Sequence, residues 1–311
     1  MKVSIHNPNK PWKDGVTGKS KFVCRLIPAL REQGIEVTEK DEPCDISLHI
    51  GRVRHKSKAK KNILRLGPAH ISTHENYKKL NKEKAKSLKG IDGVVYQSRF
   101  SRKVCRKFIG KPKCPDAVIF NGADPKEFDV EPAESEFKRN FLASTRKWLP
   151  QKRLKEIEKA FMLANISDSC LFVCGDTMGH DSPTPFDGDT VIRHLGIKDS
   201  HALARLYKLC DAMIHMVYID ACPNSVVEAM VAGCPVICGD QGGIMEFVWG
   251  NGWIIPEKPY DFNPTNLLKP PKIKVEHLAD VMKPHYASSP VPHLHIDNIA
   301  KQYIKFFEKI L

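Results

Sequence analysis

Two acidic residues, Asp220 and Glu228, stand eight positions apart in a segment suited to binding a phosphorylated ligand. Between them lie Asn224 and Ser225, residue types that often begin helices. Small helical residues, a β-branched strand and the glycine pair at 242–243 follow. A loop, a helix N-terminus, a strand and a glycine turn in this order form half of a nucleotide-binding α/β unit, because a helix N-terminus attracts phosphate.

The segment DACPNSVVEAMVAGCPVICGDQGG, residues 220–243, resembles the donor-site signature of the retaining family 4 glycosyltransferases, which have the GT-B fold. That family carries two glutamates at this spacing, then Ala-Met-Ala-x-Gly-x-Pro-Val-Ile and a glycine pair. Here the first acid is Asp220, one methylene shorter than glutamate. The resemblance implies that Glu228 hydrogen-bonds the donor ribose and that Asp220 faces the sugar. It also implies that backbone amides around Asn224 and Ser225 hold phosphate.

A second segment, TRKWLPQKR at 145–153, resembles the part of that family that places two cations over the nucleotide diphosphate. There an arginine precedes a lysine by five residues. Lys147 and Lys152 have this spacing, and Arg146 offers a guanidinium one residue earlier, so the first cation is either Arg146 or Lys147. Cations are needed because the leaving diphosphate gains negative charge as the glycosidic bond breaks. The resemblance implies that they act without metal, so no metal site and no cofactor are expected.

The segment KDGVTGKS at 13–20 is not a P-loop, because the first glycine of that motif would have to stand where Lys13 is. By resemblance it is the glycine-rich loop that follows the first strand and lies near the donor phosphates and sugar. Gly15 and Gly18 let the backbone approach a ligand closely, and the next helix N-terminus attracts anions. A plain turn with a solvated Lys19 is the alternative.

A histidine in the N-terminal domain often lies near the sugar in family 4 enzymes. The segment RLGPAHISTHENY places two histidines in the corresponding region. His70 is favoured, and His74 is the alternative. The predicted catalytic residues are therefore Asp220, His70 and Lys152.

Positive charge is concentrated in the N-terminal part of the chain. The formal net charge is +13, and residues 1–130 hold 29 Lys and Arg against 14 Asp and Glu, whereas residues 131–311 hold 20 against 22. Two basic segments, at 52–61 and 99–109, stand out. The residues predicted to bind a polyanion are Arg52, Arg54, Lys56, Lys58, Arg99, Arg102, Lys103 and Arg106.

The acceptor of GT-B enzymes binds in the N-terminal domain, so a basic domain implies a polyanionic acceptor. Nucleic acid, for example DNA with hydroxymethylated bases, is the favoured acceptor because a protein needs only cations to bind its phosphates. An anionic membrane would also need exposed apolar side chains, which the 52–61 run lacks. A membrane-surface glycolipid or polysaccharide transferase stays open, as does a non-catalytic nucleic-acid-binding protein on the same scaffold. A solvated basic face is the neutral alternative.

Two α/β units are needed to position these residues. Short apolar strands alternate with helices along the 311 residues, which predicts parallel, doubly wound sheets. The resemblance implies two Rossmann-like domains facing a cleft. The predicted domains are a basic acceptor-side domain at 1–125, a donor-binding domain at 126–292 and a C-terminal helix at 293–311 that packs back on the first.

Composition is consistent with this interpretation. Hydrophobic residues make up 41% and charged residues 27%, typical of a soluble globular protein. No apolar run approaches the roughly 20 residues that span a bilayer, and MKVSIHNPNK has no apolar segment of a signal peptide. Ten cysteines without a CxxC pair favour a reducing, cytoplasmic location. The sequence predicts a retaining, metal-independent hexosyl- or pentosyltransferase that uses a UDP- or GDP-sugar.

Overall fold

The computed structural model describes residues 1–7, 12–13, 17–179, 189–248 and 250–311. The chain divides into two α/β units, each built on a six-stranded sheet in the described residues. Three segments form the first unit: Met1–Asp124, Phe262–Thr265 and Pro292–Leu311. Two form the second: Pro125–Asp261 and Asn266–Val291. No helix in these ranges is long and apolar enough to cross a membrane.

Strands and helices alternate in the first unit. Its elements before residue 125 are β1 (Lys2–Ser4), α1 (Gly18–Glu32), β2 (Glu36–Thr38), β3 (Cys44–Gly51), β4 (Ala59–Leu66), α2 (Tyr77–Lys86), β5 (Gly93–Tyr96), α3 (Arg99–Phe108) and β6 (Asp116–Val118). The strand order is β2-β1-β3-β4-β5-β6, and the neighbours pair in parallel. The order reverses between β1 and β3, and such switch points are where open α/β sheets bind ligands.

The second unit follows the same principle with a different order. Its elements are β7 (Arg139–Lys147), α4 (Leu154–Ala164), β8 (Ser169–Asp176), β9 (Thr190–Gly196), α5 (Ser200–Leu209), β10 (Ala212–His215), α6 (Asn224–Val231), β11 (Val236–Gly239), α7 (Met245–Val248), β12 (Gly252–Ile255) and α8 (Val275–Met282). The parallel order is β12-β11-β10-β7-β8-β9. Its switch point lies between β7 and β10. The predicted α/β class with two doubly wound parallel sheets is confirmed.

The C-terminal helix α9 (Ile296–Ile310) completes the core of the first unit. Ile299, Tyr303 and Phe307 recur at helical spacing and are fully buried. The Tyr303 ring centroid lies 6.1 Å from that of Phe22 on α1 and 5.8 Å from that of Phe307. The apolar face of the last helix is therefore an integral part of this core.

The core of the second unit lies between its sheet and the helices α4 and α8. Phe141 of β7 and Phe161 of α4 are buried with ring centroids 5.8 Å apart. Leu278 and Met282 of α8 belong to the same apolar cluster. This packing fixes β7, whose carboxyl end carries several of the predicted site residues.

Candidate functional site

Lys152 and Asp220 lie near each other at the switch point of the second sheet, where each acts electrostatically on the other. Lys152 ends a short 3-10 helix, Pro150–Lys152, directly after β7, and Asp220 follows β10. Burial lowers the pKa of Lys152, and the charge of Asp220 opposes this shift. Burial raises the pKa of Asp220, against the pull of the Cys222 amide and the Lys152 ammonium. Lys152 also donates to the Thr145 hydroxyl. The structure thus brings together an acid and a cation that are 68 positions apart in the chain.

Arg153 anchors the turn that presents Lys152. Its backbone is left-handed, with φ of 58°, and it is 1% exposed. Its guanidinium donates to Glu257 at 2.6 Å and to the carbonyl oxygens of Met216 and Pro271 at 2.9 and 3.0 Å. Removing one partner of a buried ion pair costs about 3–5 kcal/mol, so this pair holds the turn firmly. Nothing in the sequence indicated this buried ion pair, because an arginine in a basic segment at the start of a helix is expected to be exposed to solvent.

The backbone around Asp220 is held by the glycine pair. Ile219 has φ of 62°, which is rare for a β-branched residue. Asp220 forms a parallel bridge with Gly242, and the Gly243 amide donates to the Asp220 carbonyl at 2.7 Å. A Cβ at Gly242 would lie 2.4 Å from that carbonyl oxygen, so the close approach requires glycine.

Glu228 is buried on α6, with 3% of its surface exposed. The Tyr207 hydroxyl on α5 donates to its Oε2 at 3.5 Å. Asn224 and Ser225 form the first turn of α6 and are half-buried. The N-cap, Pro223, gives no side-chain hydrogen bond, and the first turn has no acid. This helix start suits an anionic ligand, since its positive end is not met by an acidic side chain of its own turn. Tyr207 is a contact that the sequence did not reveal.

Arg146 and Lys147 lie exposed at the carboxyl end of β7. Strand pairing is irregular between Ser144 and Lys147. The next residue, Trp148, is buried, and its indole donates to the Cys174 carbonyl at 3.1 Å. Both basic residues thus directly precede a residue, Trp148, that is held in place by burial and a hydrogen bond. Either Arg146 or Lys147 remains the candidate for the first of the two diphosphate-binding cations.

His215, which the sequence analysis did not single out, is buried next to Lys152. It ends β10, is 6% exposed, and its Nε2 has no hydrogen-bond partner in the described part of the chain. Burial, together with the Lys152 charge, lowers the pKa of His215 to about 3. The imidazole is therefore neutral near pH 7, and the positive charge at this position belongs to Lys152.

In the first unit, Arg52 and Arg54 are exposed just after β3, and both act electrostatically on Lys19. Lys56 and Lys58 are exposed farther along the same loop. Gly18 is the first residue of α1, whereas Gly15 lies outside the described residues.

The basic residues of α3 have partners within the first unit. Arg102 and Arg106 both pair with Asp116 of β6, at 2.6 and 2.5 Å. The Lys103 ammonium lies 3.7 Å from the ring centroid of Phe262. Arg99 is exposed at the helix start. Two of the basic residues of α3 thus share one carboxylate, and a third lies over an aromatic ring.

His70 lies in the loop after β4 and is well fixed. Its Nδ1 is 3.0 Å from Oε1 of Glu75. Its amide donates to the side chain of Asn81 at 2.8 Å, and Asn81 donates back to its carbonyl at 2.6 Å. The alternative, His74, contacts the Ser72 hydroxyl. Both histidines belong to the first unit.

Comparisons with known proteins agree with the motif. Residues 126–263 match the family model of glycosyl transferases group 1. The chain is 26% identical over 186 residues to an uncharacterized glycosyltransferase from Methanocaldococcus jannaschii. That match covers 53% of this chain and 47% of the relative, so it spans about half the relative's length.

Solved structures are similar over the whole chain. A glycosyltransferase involved in avilamycin A biosynthesis has a TM-score of 0.64 at 18% identity, covering 100% of this chain and 98% of that one. A glycosyltransferase from Rickettsia africae has 0.62 at 15%, covering 99% and 98%. HepE of Anabaena in complex with UDP-glucose has 0.60 at 13%, covering 100% and 98%. The predicted resemblance is thus confirmed: residues 126–263 match the group 1 glycosyl transferases, and the fold is that of the GT-B glycosyltransferases.

Proposed function

We propose that this protein is a retaining glycosyltransferase that moves a sugar from a nucleoside-diphosphate sugar to an acceptor hydroxyl. The observation that carries the proposal is that Lys152 and Asp220 lie near enough to interact electrostatically at a sheet switch point, inside the segment that matches group 1 glycosyl transferases. UDP-glucose is the first donor to test, because a structural neighbour was solved in complex with it.

Each part of the donor has a proposed partner in the second unit. The buried carboxylate of Glu228, kept in place by Tyr207, accepts hydrogen bonds from the ribose hydroxyls. Lys152 binds the diphosphate together with Arg146 or Lys147. The amides at the start of α6, around Asn224 and Ser225, add partial positive charge.

The reaction needs no covalent intermediate on the protein. The bond from the anomeric carbon to the diphosphate oxygen breaks, and the acceptor oxygen forms its bond on the same face of the sugar. The acceptor proton passes to the departing diphosphate. Lys152 stabilises the charge that develops on the leaving group, and Asp220 contacts the sugar. In this scheme the cations take the place of a metal ion, and His70 is proposed to assist from the first unit.

The proposed acceptor is anionic, because the first unit holds an excess of positive charge. Duplex DNA with hydroxymethylated bases is the acceptor class to test first, beside phosphorylated sugars and anionic glycolipids. A product formed from one of them identifies the acceptor class.

The donor site is tested by Glu228→Gln with Glu276→Gln as control. Glu276 is an exposed glutamate in the first turn of α8. UDP and UDP-glucose should raise the melting temperature of the wild type. Loss of charge-assisted hydrogen bonds should weaken binding by about 10- to 100-fold in Glu228→Gln, and Glu276→Gln should bind normally. Unaltered donor binding and turnover in Glu228→Gln would contradict the assignment.

Stereochemistry and metal dependence are tested separately. The anomeric configuration of the product, followed by nuclear magnetic resonance, should equal that of the donor. Activity should persist after dialysis against a chelator. Inversion, or recovery of activity only with added Mg²⁺ or Mn²⁺, would refute the corresponding part of the proposal.

A further inference from the structure

The carboxyl ends of β3 and β4 form a small glycine platform. Gly51 ends β3, Gly67 follows β4, and the Gly67 amide donates to the Gly51 carbonyl at 3.2 Å. A Cβ at Gly67 would lie 3.4 Å from the Gly51 Cα. Bare backbone of this kind lets a ligand come close to the main chain.

Two ammonium groups flank this glycine platform. A Cβ at Gly51 would lie 2.7 Å from Nζ of Lys19, and one at Gly67 would lie 3.7 Å from Nζ of Lys84. Lys19 is in the first turn of α1, which has no acidic residue. A cation at the positive end of a helix dipole is unfavourable by itself, and a bound anion would offset both positive charges.

Three arginines add to the charge. Arg52 and Arg54 are exposed, whereas Arg65, near the end of β4, is 2% exposed. Much of the Lys19 side chain is exposed, yet burial of its ammonium lowers its pKa, and the charges of these three arginines lower it further. Burial also lowers the pKa of Lys84 to about 8, and the positive charges of Lys19 and Arg52 contribute to this lowering.

Within the part of the chain that the structure describes, these five cations lack carboxylate counter-ions. No carboxylate in the described ranges forms an ion pair with any of them. Glu75 acts on Lys84 from a distance but pairs with His70 at 3.0 Å. Arg65 donates to Asn121 and lies 4.0 Å from the Phe22 ring centroid, while its buried Nε has no partner among the described residues. In α3, by contrast, Arg102 and Arg106 share the carboxylate of Asp116.

We propose that Lys19, Arg52, Arg54, Arg65 and Lys84 form a site for a phosphate monoester or diphosphate group carried by the acceptor. This inference rests on the proposed function and narrows its acceptor class. The donor diphosphate has its own proposed partners in the second unit. Lys19 and Lys84 flank one glycine platform, and the three arginines lie near enough to act electrostatically on Lys19. This arrangement suits one multiply charged group, whereas a duplex presents singly charged phosphates spread along its length.

Inorganic pyrophosphate is the probe, titrated calorimetrically into the full-length protein. Lys19→Met and Lys84→Met should each lower its affinity about tenfold or more, because each removes a charge-assisted contact. Lys86→Met is the matched control, since Lys86 is exposed on the same helix as Lys84 and pairs with Glu83 at 2.7 Å. Its affinity should equal that of the wild type. Equal affinity in all four proteins, or no binding to the wild type, overturns the site.

Proton uptake gives a second readout. At pH 8 about half of the Lys84 side chains are neutral, and an anion raises the pKa of this ammonium. The wild type should therefore bind about half a proton more on binding pyrophosphate than a variant that lacks Lys84. Titrations in buffers of different ionisation enthalpy measure this number. The proton number of Lys86→Met should equal that of the wild type, and that of Lys84→Met should be lower by about half a proton; an unchanged proton number in Lys84→Met overturns the role of Lys84.

Competition separates the possible sources of the anion. Saturating UDP should block pyrophosphate at the donor's own partners in the second unit and leave intact the binding that depends on Lys19 and Lys84. If UDP displaces pyrophosphate and Lys84→Met weakens UDP equally, the anion belongs to the donor and the acceptor assignment is wrong. If a short DNA duplex displaces pyrophosphate, the acceptor is nucleic acid and the assignment to a phosphorylated acceptor is wrong. If pyrophosphate binds as expected but no nucleotide sugar binds, the anion site stands and the proposed function fails.

Discussion

His215 shows how one buried side chain can set the charge of a site. Its imidazole lies beside Lys152 at the end of β10, in surroundings that disfavour protonation. A protonated histidine there would add a second positive charge, which would change the diphosphate affinity with pH. Because His215 remains neutral near pH 7, Lys152 is the residue of this pair that carries the positive charge.

Replacing His215 with leucine should reduce the sensitivity of the fold to acid. The pKa of His215 is about 3 in the native state, against 6.5 for an ordinary histidine. Between these values the unfolded chain binds a proton that the native state does not, so the stability of the wild type falls as pH falls from about 6.5 to about 3. The variant lacks this loss. The wild type should lose up to about 4 kcal/mol more than His215→Leu across this range.

Urea denaturation at a series of pH values measures the difference. His201→Leu is the control, because His201 is an exposed histidine of the same unit. Its free energy of unfolding should follow that of the wild type with pH. Parallel curves for the wild type and His215→Leu would show that His215 is not held neutral.

At the scale of elements, the glycine turn after β11 supports the loop after β10. Gly242 has φ of +111°, and its neighbour Gly243 donates to the Asp220 carbonyl. The two segments are therefore one structural feature. Residues 242–243 act on the site through the backbone, without contributing a side chain.

Gly242→Ala should weaken donor binding as well as stability. Its Cβ would lie 2.4 Å from the Asp220 carbonyl oxygen, so the loop that carries Asp220 must move. Gly250→Ala is the control, since Gly250 also has positive φ, of 83°, but its Cβ would meet nothing within 4 Å. Both variants should lose about 1–2 kcal/mol from backbone strain. Only Gly242→Ala should also lose affinity for UDP-glucose, measured by calorimetry; equal affinity in both variants would contradict the coupling.

What the sequence predicted was local in the chain. Glu228 and Lys152 stand in contiguous segments whose order of strand, turn and helix can be recognised by inspection. His215 was missed because its Nε2 has no hydrogen-bond partner among the described residues that could have pointed to it. Arg153 and Tyr207 were missed because their hydrogen-bond partners, Glu257 and Glu228, are 104 and 21 residues away in the sequence. Contacts of that kind depend on how strands are ordered in the sheet, which local pattern does not fix. The same reason hid the convergence of Lys19 and Lys84.

At the scale of the whole molecule, α9 determines the stability of the first unit. Phe307 is fully buried against α1, whereas Leu311, just beyond the helix, is 54% exposed. Phe307→Ala should cost about 3–5 kcal/mol, and Leu311→Ala should cost little. Hydrogen exchange followed by mass spectrometry can assign the loss to a unit. Peptides from β3 and β4 should exchange faster in Phe307→Ala, while those from β7 and β8 should be unaffected; equal acceleration in both units would show that they unfold together.

The three-segment composition of the first unit has a consequence for its biosynthesis. Met1–Asp124 is synthesised before the second unit, whereas the helix that covers the apolar face of α1 is synthesised after it. The nascent first unit must therefore wait with part of its core uncovered while the second unit is translated, at about 5–20 residues per second. The apolar face of α1 is uncovered during that interval, and uncovered apolar surface is what chaperones bind and what promotes aggregation.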